Sequence, residues 1–333
     1  MRTNRIAYAV GFGGTLSLLA LTRASYHLVA VLGAGAFVVF LCPRPLRKRA
    51  LVAVVLPLAL VGGLYVKNTI QFGAPTSSTW FGMNLAHMVF SHDPPELRAD
   101  IAANRVSRDA LIVPFVPLSR YKNVTLPHTG VPALDLVDDA GHANFNNQAY
   151  IGISNQDLKD VLRFVARHPN VYLRKVGGAY RLASTSAADY GAFRTNRPHI
   201  AALVGLQNRL LGQAHDLVPP APGGAKPGWS EVAWLVVFQY AAVMIAGGVL
   251  VLRALRRSIP PLTAGQWSFL FIAMTTVYAT IIDNVVDFGD NNRFRFETDP
   301  LVCVATVALF AYVAKRRTRA VDPAGGATVS TAS

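Results

Sequence analysis

Six apolar runs divide this sequence, at 6–21, 26–41, 50–66, 232–252, 267–282 and 301–314, and charge is sorted between them. Thirteen of the thirty-two Lys and Arg crowd into four short stretches: the N-terminus, 44–49, 253–257 and 315–319. Asp322 alone joins them, and the other seventeen of the eighteen carboxylates lie in the alternate polar stretches. Basic connections on every second turn of an apolar chain are the positive-inside pattern of a polytopic membrane protein. The pattern sets both termini in the cytoplasm and the long central stretch outside, in a plasma or inner membrane. Chemistry is therefore expected on the extracytoplasmic face.

The same sorting removes a nucleic-acid reading. The formal charge is +14, but the inner stretches hold thirteen bases against one acid, net +12, while the outer ones hold nineteen against seventeen, net +2. Most of the excess is an orientation signal that also suits an anionic leaflet. No basic run alternates with aromatics as a single-strand groove requires. Charged residues make up 15% of the chain and hydrophobic ones 52%, against about 25% charged in soluble domains, which places it in lipid rather than in water.

The expected fold is an all-α polytopic membrane protein of about six transmembrane helices. Residues 1–70 are read as three spans and 71–230 as a mainly helical extracytoplasmic domain; 231–319 supply three more spans and 320–333 a disordered cytoplasmic tail. A crossing helix needs about 20 residues, so the shorter runs must borrow from their flanks. Glycines at 11, 13, 14, 33, 35, 62, 63, 247 and 248 fall inside the runs, where small residues let helices approach. In the central stretch Leu158, Val161, Leu162 and Val165 recur at helical spacing, with Lys159, Arg163 and Arg167 on other faces. His168-Pro169 interrupts, and Val171, Tyr172, Val176 and Tyr180 resume. Either these basic amphipathic helices lie at the lipid headgroups or they pack on their own domain.

Candidate chemistry is spread over several groups. Asp283, Asp287 and Asp290 precede Asn292-Arg293-Phe294-Arg295-Phe296 in the last outer stretch. If extended, that piece points its rings one way, into the interface, and Arg293 and Arg295 the other, toward a phosphate. The competing reading is an anchor whose arginines pair with Asp287, Asp290 or Glu297. Asp283 stands at the end of an apolar run, where an acid is costly without a partner or a role. Asp138, Asp139 and His142 have the donor types for a divalent cation, set against a solvated turn rich in Asn144, Asn146 and Asn147; no other cofactor is expected. His87, His92 and Asp93 gather near Pro94-Pro95. Trp80, Phe81, Met83, Leu85, Met88 and Phe90 follow the third run, as the lining of a lipid-tail groove or as an aromatic belt. Arg23 is the one cation in the outer turn of the first two runs, either exposed or part of an anion site.

Three segments also carry a family likeness. Leu21-Thr22-Arg23, the Pro57 run with Tyr65-Val66-Lys67-Asn68 and Phe72-Gly73, and Asn292-Arg293-Phe294-Arg295-Phe296 before Pro300 resemble the C-terminal portion of GT-C superfamily membrane glycosyltransferases. The branch is that of protein mannosyltransferases and aminoarabinose transferases, and the likeness covers the runs and their outer edges rather than 93–220. It implies a polyprenyl-phosphate sugar donor used outside the cell, with Arg23, Arg293 and Arg295 as lipid-phosphate contacts. Members of that branch keep a catalytic acid in the first outer loop, whereas 22–25 contains none here. The resemblance therefore implies a chain lacking the catalytic N-terminal half. Asp283, Asp287 or Asp290 would then substitute, or a second membrane chain would supply the missing half. The residues also fit a non-catalytic scaffold or subunit that binds membrane lipids or an envelope protein. A transporter fits less well, since no series of ionisable residues enters the apolar runs.

Overall fold

A computed structural model describes residues 6–22, 28–41, 47–73, 75–76, 78–90, 93–121, 130–135, 147–185, 197–211, 232–256, 262–288 and 291–321. Among the described residues every regular element is a helix. The first apolar bundle is α1 (Ile6–Thr22), α2 (Leu28–Leu41) and α3 (Arg47–Phe72). A polar unit follows, made of α4 (Phe81–Phe90), α5 (Pro95–Ala102), α6 (Pro132–Asp135), α7 (Ala149–Arg167), α8 (Pro169–Ala183) and α9 (Ala201–Leu211). The chain closes with α10 (Trp234–Leu255), α11 (Ala264–Val286), the short α12 (Asn291–Phe294) and α13 (Asp299–Val321).

Among the described residues each of the six apolar runs falls mainly in a helix, and three of these helices are long and apolar enough to cross a membrane: Leu51–Phe72 within α3, α10 and α11. That marks a membrane-associated protein. The α1 and α2 helices, at 17 and 14 residues, fall short of the roughly 20 residues a crossing needs. In α3 the helix outlasts the apolar run, because Lys67, Asn68, Thr69 and Gln71 continue it without a breaker. Gly73 ends it in the left-handed conformation, φ +66°, with its N–H on the Thr69 carbonyl at 3.0 Å, the backbone state that glycine adopts without a Cβ penalty. At the start of α11 the Thr263 hydroxyl accepts the Gln266 N–H at 3.3 Å and the Gln266 side chain accepts the Thr263 N–H at 2.9 Å, a reciprocal cap.

The bundles are built on small residues at crossings. Pro57 has no N–H to give the Ala53 carbonyl four residues back, and a side chain at Gly13 of α1 would strike that carbonyl. Gly35 and Gly247 stand at similar crossings, against Val54 and Ala273, while Gly11, Gly14, Gly33, Gly62, Gly63 and Gly248 face open space. Ala233, Val236, Tyr240, Val243, Ala273, Val302 and Ala305 form the core of the second bundle, and Tyr278 of α11 reaches the first bundle's core at Ala20, Val31 and Val61. Large apolar side chains remain bare on the outward faces, among them Ile70, Phe238, Ile245, Val307 and Phe310.

The polar unit has its own core. Leu85, Ala86, Val89 and Phe90 of α4 pack with Leu97, Val161, Phe164 and Val171, while Met83 joins Leu118, Tyr121, Tyr150 and Ile153 in a second cluster. The Met-rich segment expected at the lipid boundary is thus protein core: Met83 and Met88 are fully buried. The α4 and α7 backbones meet so closely at Gly82 that a side chain there would overlap the Ser154 carbonyl. The Ser154 hydroxyl accepts the Gly82 and Met83 N–H groups at 3.0 and 3.3 Å. The α7–α8 break falls at His168, as the sequence indicates, and the apolar faces of both helices enter the core of the unit. Packing on their own unit is therefore where these faces go, although Leu162 and Leu173 stay exposed.

Candidate functional site

The polar unit docks on one end of the second bundle, and the contacts define a seam. Tyr172 of α8 donates its hydroxyl to the Val285 carbonyl at 2.7 Å, Phe288 lies against Gly178, and Lys175 Nζ stands 5.9 Å from the centre of the Phe288 ring. After α8, the Ser184 carbonyl accepts the Ala233 N–H at 2.8 Å, which ties the end of α8 to the start of α10. Beyond α11, Asn291 closes the turn: its side-chain amide donates to the Asp283 and Asp287 carbonyls at 3.1 and 2.9 Å.

That closure overturns the extended reading of the Arg/Phe alternation. Residues 291–294 form a helical turn and Arg295–Glu297 a tighter 3₁₀ turn, so successive side chains do not alternate between two sides. Arg295 consequently points inward. It is 9% exposed, and Nη2 donates to the Thr185 carbonyl at 2.7 Å. Its Nε and Nη1 are buried and meet no acceptor among the described residues. The competing anchor, an Arg295 paired with an acid, is also absent among the described residues.

Next to this guanidinium, Tyr240 of α10 donates to Asp299 Oδ1 at 2.7 Å and shares a hydrogen bond of the same length with the Thr298 hydroxyl. Thr298 returns its N–H to the Arg295 carbonyl at 2.9 Å. Asp299 opens α13, where a carboxylate suits the helix N-terminus, so the wall beside Arg295 is already hydrogen-bonded.

A few residues along the same loop, Asp287 faces the polar unit. Its Oδ1 accepts the Phe288 N–H at 2.7 Å and stands 3.7 Å from His87 Nδ1. The His87 ring packs edge-on against Phe115 at 6.3 Å, and Phe115 against Trp80 at 5.7 Å.

The polar unit holds two further buried acids. Asp100 is 2% exposed and Oδ2 accepts Arg167 Nε and Nη2 at 3.1 and 3.0 Å, with His168 Nε2 at 3.2 Å; Arg105 Nη1 stands 3.4 Å from Oδ1. Burial pushes this carboxyl up, but the Arg167 hydrogen bond and charge, with His168 and Arg105, more than offset it and hold it below the usual value. Asp157 is 4% exposed, and its Oδ2 meets no donor among the described residues. Burial first, then the charges of Asp160 and Asp109, push it up to about 7. The Tyr121 hydroxyl, also buried and unpaired, is pushed up by burial and by Asp157.

Of the residues picked out by sequence, the seam brings Asp287 to His87, and Arg295 lies eight residues further along the same connection, on the Thr185 carbonyl. Asp283 is half-buried in the last turn of α11. Arg293 lies in α12 by its backbone, and its side chain is outside the described residues, as are Arg23, His92, Asp138, Asp139, His142 and Asp290 altogether. Among the described residues no group of three His, Cys, Asp or Glu is placed to hold a metal ion. Sequence reasoning missed Asp100, Asp157, Tyr240 and Asp299; only Asp299, an acid just ahead of a helix-starting proline, left a local trace. No known protein family, characterised protein or solved structure matches this chain.

Proposed function

We propose that this chain forms the lipid-donor side of a GT-C-like membrane glycosyltransferase and works at the extracytoplasmic face on a polyprenyl-phosphate-linked sugar. The observation behind this reading is Arg295, nine-tenths buried with two of its nitrogens meeting no acceptor among the described residues. An arginine in a protein does not shed its proton, and a buried charge without a counterion costs several kcal/mol by order of magnitude. Such a group is stable only if something anionic completes it, and a guanidinium matches a phosphate bidentately. At the end of membrane-crossing helices, the anion with an apolar tail to follow is a lipid phosphate. Donors set in place beforehand also stabilise the charge that the phosphate gains as the sugar leaves. Six spans with both termini inside belong to this reading, with Arg23 and Arg293 as further contacts, supported by the sorted charge and the six helices.

A second reading, a non-catalytic subunit, draws on α9. Leu203, Leu206 and Leu210 recur at helical spacing and are all more than half exposed, a face ready for another surface. Undecaprenyl phosphate binding to the full chain in phosphatidylcholine nanodiscs, read by native mass spectrometry, separates the two. Charge-assisted hydrogen bonds contribute about 1.5–3 kcal/mol, so Arg295→Gln should weaken binding roughly ten- to a hundred-fold. Equal binding by wild type and variant overturns the lipid-phosphate reading.

A further inference from the structure

His87 and Asp287 stand two hundred residues apart in sequence and meet across the seam. Asp287 is oriented from two sides: Oδ1 takes the Phe288 N–H at 2.7 Å, and its carbonyl takes the Asn291 amide at 2.9 Å. His87 is clamped by its helix, because Ala86 and Met88 on either side are buried in the core of the polar unit. One ring nitrogen, Nδ1, faces Asp287 Oδ1 at 3.7 Å; the other, Nε2, has no partner among the described residues, and the side chain is 32% exposed. Phe115, which packs against the ring, sits at φ +63°, a left-handed conformation that strains a large residue and clusters at working sites. An imidazole with a carboxylate behind one nitrogen and the other unpartnered among the described residues is the arrangement that takes up protons from hydroxyls. A separation of 3.7 Å is long for a hydrogen bond, but such pairs tighten when substrate fills the site.

We propose that His87 is the general base of the transfer and Asp287 its positioning residue, a role that rests on the glycosyltransferase reading above. His87 Nε2 takes the proton of the acceptor hydroxyl. The hydroxyl oxygen bonds to the anomeric carbon, and the bond from that carbon to the phosphate oxygen breaks with its electron pair. The departing polyprenyl phosphate carries that charge toward Arg295. A phosphate leaves as an anion and needs no proton, so one base completes the balance. Asp287 and Arg295 lie on one connection, with Asn291 four residues from each, so the positioning carboxylate and the anion site are held from the same segment while the base comes from α4. The acid that the resembling family keeps in its first outer loop is thereby replaced by a dyad assembled from the central unit and the last outer loop.

Membranes containing the full chain and their own lipid-linked sugars provide the test, with released undecaprenyl phosphate measured by mass spectrometry. General bases contribute about 10²–10⁴-fold, so His87→Gly should cut release by at least a hundred-fold and added imidazole should restore it at least tenfold. Arg295→Gln should also cut release, without imidazole rescue. Full activity in His87→Gly, or loss that imidazole leaves untouched, overturns the base while Arg295→Gln still reports on the lipid site. Release unaffected by Arg295→Gln, or absent in wild type, overturns the glycosyltransferase reading and the base with it. A substrate-free measurement tests the dyad alone: diethyl pyrocarbonate should modify His87 several-fold faster than the exposed His199, and Asp287→Asn should remove that advantage. Equal rates at both histidines would dismiss the pairing.

Discussion

Asp100 in the polar unit and Arg295 at the seam are both buried charges, yet they are buried in opposite ways. Asp100 is surrounded by Arg167, His168 and Arg105, so the cost of leaving water is offset within the protein. Among the described residues Arg295 meets one carbonyl and has two donor nitrogens without an acceptor. The first is a structural charge that fastens α5 to the α7–α8 break; the second is the charge on which the lipid-phosphate proposal rests. Asp157 shows the third option. Buried without a partner on Oδ2, it is pushed up to about 7 and so can stay neutral, an escape open to a carboxyl and closed to a guanidinium.

The largest expected effect is at Asp100. Removing one member of a buried ionic cluster costs about 3–5 kcal/mol, so Asp100→Ala should lower the unfolding free energy of the full chain by that much in denaturant titrations. Because the folded carboxyl lies below its ordinary value of about 3.9, its stabilisation is present above that pH and is lost as pH falls through the lowered value. Asp100→Asn should accordingly flatten the acid limb of the stability curve.

Asp157 carries the opposite sign. Its folded value is raised, so stability is full below about pH 3.9 and is lost as pH rises toward about 7. Asp157→Asn should abolish that decline, a gain of about 4 kcal/mol at pH 8 in denaturant titrations; an unchanged slope would show that Asp157 is ionised and paired. For Arg295→Met, replacing an uncompensated buried charge by an apolar side chain should leave the anion-free protein within about 1 kcal/mol of wild type or make it more stable. It should also abolish thermal stabilisation by undecaprenyl phosphate. A loss as large as that of Asp100→Ala would break the comparison, since Arg295 would then be structural. The smallest effect should be at the exposed Arg98–Asp93 pair, where Arg98→Ala is expected to change stability by less than about 0.5 kcal/mol in the same titration.

Much of the architecture was legible because its causes are local. Apolar runs gave helices at the right places, and His168-Pro169 marked the α7–α8 break. Hydropathy misled at Met83 and Met88, since a protein core and a lipid tail are equally apolar and only the packing of α7 against α4 decides between them. The Arg293–Arg295 segment was recognised as an anion candidate with the wrong backbone: seven residues are too few for periodicity to separate helix from strand, and Asn291 settled it by bridging carbonyls across the turn. His87 was noticed among its neighbours in sequence, yet its partner lies two hundred residues away, beyond any spacing rule.

Where helices form, and which connections carry charge, was determined by the sequence by itself, because hydropathy, proline breaks and caps act within a few residues. Which charges are satisfied was decided only by the tertiary structure. The free energy of a buried charge depends on the groups brought within a few ångströms of it, and those came from distant parts of the chain: Arg167 and His168 to Asp100, Thr185 to Arg295.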